Sequence, residues 1–66
     1  MTNKLRTIRE ERGLNQREFA ELTHTAQALV SSIERGILKP WPKVARRFSK
    51  VLKCHMQEIF PDDFNK

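Results

Sequence analysis

The apolar residues of this chain recur at helical spacing in short runs. Each run is cut by a turn former: Gly13, His24, Gly36, then Pro40 and Pro42, two residues apart. No stretch alternates apolar and polar residues long enough to suggest a strand. The punctuation therefore leaves short helices joined by tight turns, and an all-α fold class. A first helix is expected from about Lys4 to Arg12, with Leu5, Ile8 and Arg9 on one side and Gly13 as its left-handed C-terminal cap. Asn15 is a suitable N-cap for a second, Gln16 to about Thr23, whose Phe19, Ala20 and Leu22 face inward while Glu18 and Glu21 stay wet. His24 falls where the chain must turn sharply, and histidine enters the left-handed region more readily than most residues. A third helix begins near Thr25 or Ala26 and ends at Gly36. Its inward stripe is Ala26, Val30 and Ile33, with Leu29 on the edge, Ala28, Ser31, Ser32 and Arg35 opposite, and Gln27 flanking that outer face. An extended ILKPWP connection leads to a fourth helix, about Pro42 to Lys53, with Val44, Phe48, Val51 and Leu52 as its apolar stripe. A short turn then adds Met56, Ile59 and Phe60 before Pro61 stops it, and the terminal DDFNK is expected to fray.

With 66 residues the chain reads as one domain, ordered over about residues 3–61, close to the size at which a single core just suffices. The net charge of +5 is unevenly placed. Residues 1–34 hold five basic and five acidic side chains, residues 35–53 seven basic and none acidic, and residues 54–66 one basic and three acidic. Such an excess favours a polyanionic partner. The lone cysteine, Cys54, excludes an intrachain disulfide and fits a reducing compartment. No apolar run approaches the roughly 20 residues of a membrane span, and the N-terminus lacks the apolar core of a signal peptide. A cytoplasmic protein with no membrane association is expected.

Against this charge, the segment LTHTAQALVSSI, residues 22–33, has no Asp, Glu, Lys or Arg. A helix needed only for solvation would carry Lys or Glu on its outer face. Small side chains let a helix backbone approach base edges in the major groove of B-DNA, and Gln offers a donor and an acceptor together to adenine N6 and N7. Reading a base sequence needs hydrogen-bonding groups rather than net charge. Phosphate attraction can come from the neighbouring basic segment, which begins at Arg35.

The run GLNQREFAELTHTAQALVSSIERG resembles the helix-turn-helix of the lambda repressor and Cro-like family, also called the xenobiotic response element family, of bacterial and phage regulators. Leu14, Gln16, Ala20, Val30, Ile33, Glu34 and Gly36 stand at that family's spacings, Pro40 falls in its usual loop, and KCHMQEIF matches its closing helix. The resemblance implies five helices, the second and third forming the motif, with the third in the major groove. Carried over, Gln27, Ala28 and Ser32 become the leading base contacts, with Ser31 beside them. Asn15, Gln16, Arg17, Thr25, Arg35, Lys39 and Lys43 become phosphate contacts. The resemblance also pairs Arg9 with Glu34 as a structural ion pair. The chain departs from the pattern at His24, Thr25 and Ala26, where glycine, an apolar residue and Ser or Thr are common, and at Trp41 and Pro42. Thr25 is a candidate substitute cap for the third helix.

The function expected is a sequence-specific DNA-binding transcriptional regulator that occupies a two-fold symmetric operator as a homodimer, with half-sites about 34 Å apart. Met56, Ile59, Phe60 and Phe64 are its expected dimer contact, because a short apolar C-terminal segment has little core left to cover. The alternative is an antitoxin-type regulator whose main task is binding a protein partner. A basic amphipathic helix on anionic lipid is the weaker reading of residues 43–53, since Val44, Phe48, Val51 and Leu52 are needed for the core. Arg46, Arg47 and Lys50 then form a solvated face. Cys54 reads as a small core residue, and with His24 and His55 it falls short of a zinc set. No metal, cofactor or catalytic motif is expected, and no enzyme.

Overall fold

The computed structural model describes residues 3–64, and among these there are six helices and no strand: α1 (Leu5–Glu11), α2 (Gln16–Thr23), α3 (Gln27–Glu34), α4 (Pro42–Leu52), α5 (Met56–Ile59) and α6 (Pro61–Phe64). The sixth corrects the expected count of five. Proline at the first position of a helix loses no internal hydrogen bond, so Pro61 opens a turn instead of ending the fold. Asp63 and Phe64 donate their amides to the Phe60 carbonyl at 3.1 and 3.0 Å. Asp62 to Phe64 are therefore helical, while the remainder of the expected frayed end lies outside the described residues.

Helix starts and stops follow local chemistry. The Asn15 side chain accepts from the Glu18 amide at 2.7 Å, while the Glu18 carboxylate accepts from the Asn15 amide at 2.9 Å, a complete capping box. Four helices end on a residue in the left-handed region: Gly13 (φ 75), His24 (φ 58), Gly36 (φ 77) and Lys53 (φ 57). Each is followed by an amide that reaches back across the last turn: Leu14 to Arg9, Thr25 to Ala20, Ile37 to Ser32 and Cys54 to Ser49. Thr25 does not cap α3. Ala26 is the N-cap and has no side-chain bond, while the Thr25 hydroxyl lies 2.9 Å from that of Thr23.

The core joins Leu5, Phe19, Ala20, Val30, Ile33, Val44, Ala45, Phe48, Leu52, Ile59 and Phe60. Within it the Phe48 ring centroid lies 4.8 Å from that of Phe19 and 6.3 Å from that of Phe60. Two expected inward residues face water instead. Leu22 is exposed and Thr23 is buried, because at about 100° per residue Thr23 falls between Phe19 and Ala20 on the helical wheel. The Thr23 hydroxyl is satisfied by the Phe19 carbonyl at 2.8 Å, so its burial is inexpensive. Ala26, as the extended N-cap, precedes the α3 stripe and is exposed. Ile59 and Phe60, expected at a dimer contact, are fully buried. Phe60 closes one side of Phe48 and the Ile59 carbonyl accepts from the Lys4 amide at 2.9 Å, so a core this small spends both on itself. Met56 and Phe64 are half-buried against it.

The left-handed positions give a stability test. A Cβ at Gly13 would meet nothing within 4 Å, so Gly13→Ala isolates the backbone cost and should destabilise by about 1 kcal/mol. Lys53→Gly should stabilise by about 0.5–1 kcal/mol, and urea unfolding of both variants checks the opposite signs.

Candidate nucleic-acid interface

The outer face of α3 is set by what lies behind it. Val30, Ile33 and Glu34 are buried, Gln27 and Ala28 are exposed, and Ser31 and Ser32 are half-buried. Gln27 to Ile33 carry no ionic group and are presented at the surface by a short helix that follows α2 across a sharp turn. The turn is made by His24 in the left-handed conformation, and α2 packs directly on α3. After Gly36 the chain folds back, and the amides of Ile37 and Leu38 both donate to the Ser32 carbonyl, at 2.9 and 3.3 Å.

Behind the helix lies a buried polar network. Arg9 Nε donates to Glu34 Oε2 at 2.6 Å, and Arg9 Nη2 lies 3.3 Å from Glu34 Oε1; the two side chains are only 7% and 4% exposed. Arg9 Nη1 donates to the Leu14 carbonyl at 2.7 Å, and Gln16 Nε2 to Glu34 Oε1 at 2.9 Å. The network thus ties α1, the turn after it, the start of α2 and the end of α3 to one carboxylate. Its outer side is a cleft lined by Arg6, Arg9, Gln16, Ser31, Glu34 and Arg35. Sequence reasoning assigned Gln16 to phosphate and missed its bond to Glu34. The available signal was a Gln at the first position of α2, beside a buried acid with more acceptor sites than one guanidinium fills.

The remaining candidates are dispersed around α3. The Asn15 oxygen is spent on its capping box. In the first turn of α2 the Gln16 and Arg17 amides have no partner within the helix, and the Glu18 carboxylate that holds the Asn15 amide belongs to the same turn. Arg17 is exposed, 3.7 Å from Glu21, a surface pair of little energetic weight. Thr25 is half-buried on Thr23, and Arg35 and Lys43 are exposed. Lys39 is exposed too, but it lines a different cleft, which Asp62 and Asp63 also line. Cys54 is half-buried, and burial, followed by the nearby Glu58 charge, pushes its thiol above the usual range against the opposing pull of Arg12. A raised thiol stays protonated at neutral pH and is a poor nucleophile. No helix among the described residues is long and apolar enough to cross a membrane.

Short helices, a tight α2–α3 turn and an α3 with no ionic group before Glu34 are the features of a helix-turn-helix fold. The helix-turn-helix family matches residues 5–59, and the chain belongs to that family, with the lambda repressor and Cro-like kind as its type. The chain is similar to the "Competence pilus inhibition repressor" of Acinetobacter baylyi (strain ATCC 33305 / BD413 / ADP1), 27% identical over 56 residues, covering 85% of this chain and 51% of that protein. It spans about half the length of the curated relative it matches.

Two outcomes test this geometry. Glu34→Ala strands the Arg9 guanidinium and should cost about 3–5 kcal/mol, whereas replacing both partners by apolar residues of similar volume should recover most of that loss in thermal melts. For Cys54, the folded pKa lies above the unfolded one. Its stabilising share is therefore present below the unfolded pKa and lost as pH rises through the folded pKa. At about pH 8 the native chain should be alkylated more slowly than the urea-unfolded chain; equal rates would remove the shift.

Proposed function

We propose that the chain is a sequence-specific, double-stranded DNA-binding transcriptional regulator that occupies a two-fold symmetric operator as a homodimer. The observation that carries this reading is the α3 surface: Gln27 and Ala28 exposed, Ser31 and Ser32 beside them, and no charge before Glu34. Gln27, at the first position of the helix, is the leading base reader through its paired donor and acceptor. Ala28 is exposed and Ser32, half-buried, follows it one turn later on the same side of the helix, where a short side chain permits close approach to base edges. Ser31 adds a hydroxyl on the flank. Arg35, Lys43 and Arg17, with the free amides opening α2, are the phosphate contacts that fix register without reading sequence.

The mechanism is occupancy rather than chemistry, in keeping with a family of DNA-binding regulators. The word repressor in the relative's name supports blocking of transcription as the mode of action. Affinity depends on salt because phosphate contacts release counterions.

Selection of bound duplexes from a random pool tests the reading directly. An enriched site with two-fold symmetry is expected, and equal retention of all sequences would remove sequence reading. On the selected duplex, Gln27→Ala should relax discrimination at one base position at a cost of roughly 1–3 kcal/mol. Arg35→Ala should weaken all duplexes alike and lower the salt slope by about one. The two variants are told apart by titrating matched and mismatched duplexes over a salt series.

A further inference from the structure

A homodimer needs a face, and the burial of Ile59 and Phe60 removes half of the set expected to form it. Among the described residues the exposed large apolar side chains are Leu22, Ile37, Leu38 and Trp41, and the last three, at 61%, 45% and 48% exposure, fall within five positions of the α3–α4 connection. This connection is ordered before any partner arrives. Ile37 and Leu38 are held by the Ser32 carbonyl, Pro40 is buried, and Pro42 opens α4. Covering such a surface costs little further chain entropy.

Its charges identify the occupant. Leu38, Lys39 and Pro40 line a cleft of about 230 Å³ together with Asn3, Gly36 and the α6 residues Pro61, Asp62 and Asp63. The ion pairs among the described residues lie on α1, α2 and α3 and the turn after α1, and use none of these three charges. A polyanion is a poor fit, because two carboxylates stand beside the lysine. A surface that presents both a cation and anions, none of them used in an ion pair within the chain, is self-complementary under a suitably placed two-fold axis. Lys39 of each copy meets the carboxylates of the other, and the apolar side chains are buried between them.

We infer that Ile37, Leu38, Lys39 and Trp41, with Asp62 and Asp63, form the surface through which two copies of the chain pair. This rests on the homodimer reading above and gives it a location. Phe64, half-buried on α6 with its ring 6.1 Å from Phe60, borders the same helix, so one member of the expected C-terminal set stays at the contact. Lys39 is thereby withdrawn from the phosphate contacts.

The experiment is sedimentation equilibrium of the full chain over a concentration series, with three variants at exposed positions, each first shown to melt cooperatively. Lys39→Glu sets like charges opposite one another in both halves of the interface, and so does the combined Asp62→Lys and Asp63→Lys variant. Each alone should dimerise at least about tenfold more weakly than the parent chain, while an equimolar mixture restores pairing, because every cross-contact is then of opposite sign. Ile37→Glu should weaken pairing and is not rescued by mixing. Variants that dimerise like the parent overturn this face and leave the homodimer standing, as does a mixture that stays monomeric. A parent chain monomeric throughout overturns both, and duplex selection then decides separately whether DNA reading survives.

Discussion

The fold hangs on one carboxylate. Glu34 closes α3 from the inside, and its two oxygens receive Arg9 from α1 and Gln16 from α2, while Arg9 also holds the Leu14 carbonyl of the intervening turn. No buried side-chain nitrogen or oxygen among the described residues lacks a partner, so hydrogen bonds offset part of the desolvation cost of the pair. Such a pair adds little net stability over a well-packed apolar equivalent, yet removing one half is costly. Its contribution is geometric: three helices are held in one orientation by directional bonds that apolar packing alone does not provide.

That orientation allows α3 to be plain on its outer side. A helix of eight residues has little stability of its own. This one lacks a side-chain N-cap, and it is held instead by Val30 and Ile33 in the core, by Glu34 in the network, and by the loop amides that return to Ser32. With order supplied from behind, the exposed residues are free to be those that suit a partner's surface. Propensity and function would otherwise compete for the same positions.

Much of this was legible in the sequence because it is local. Asn15 with Glu18, the left-handed His24, and Gly13 and Gly36 after their helices are decided within a few residues of chain, and the Arg9–Glu34 contact came with the family resemblance. The misreadings occurred where tertiary demand decides. Leu22 was expected inward because it is apolar, although the α2 wheel places Thr23 there and a backbone carbonyl makes the hydroxyl tolerable. Ile59 and Phe60 were expected at a surface because the C-terminal segment was judged to have little core left to cover, whereas both are wholly buried and the Phe60 ring packs 6.3 Å from that of Phe48. Lys39 could not be separated from the other cations until α6, absent from the expected fold, placed two aspartates in the cleft that it lines. Neighbours contributed by distant segments leave no trace in local spacing.

Trp41 is the chain's only tryptophan, and it stands at the mouth of α4 with about half its surface in water. Indole emission shifts toward the blue when solvent is displaced from the ring, so the protein carries an intrinsic optical probe on its α3–α4 connection. The colour of the unlabelled chain therefore reports whether anything settles there, at concentrations far below those that scattering or sedimentation requires.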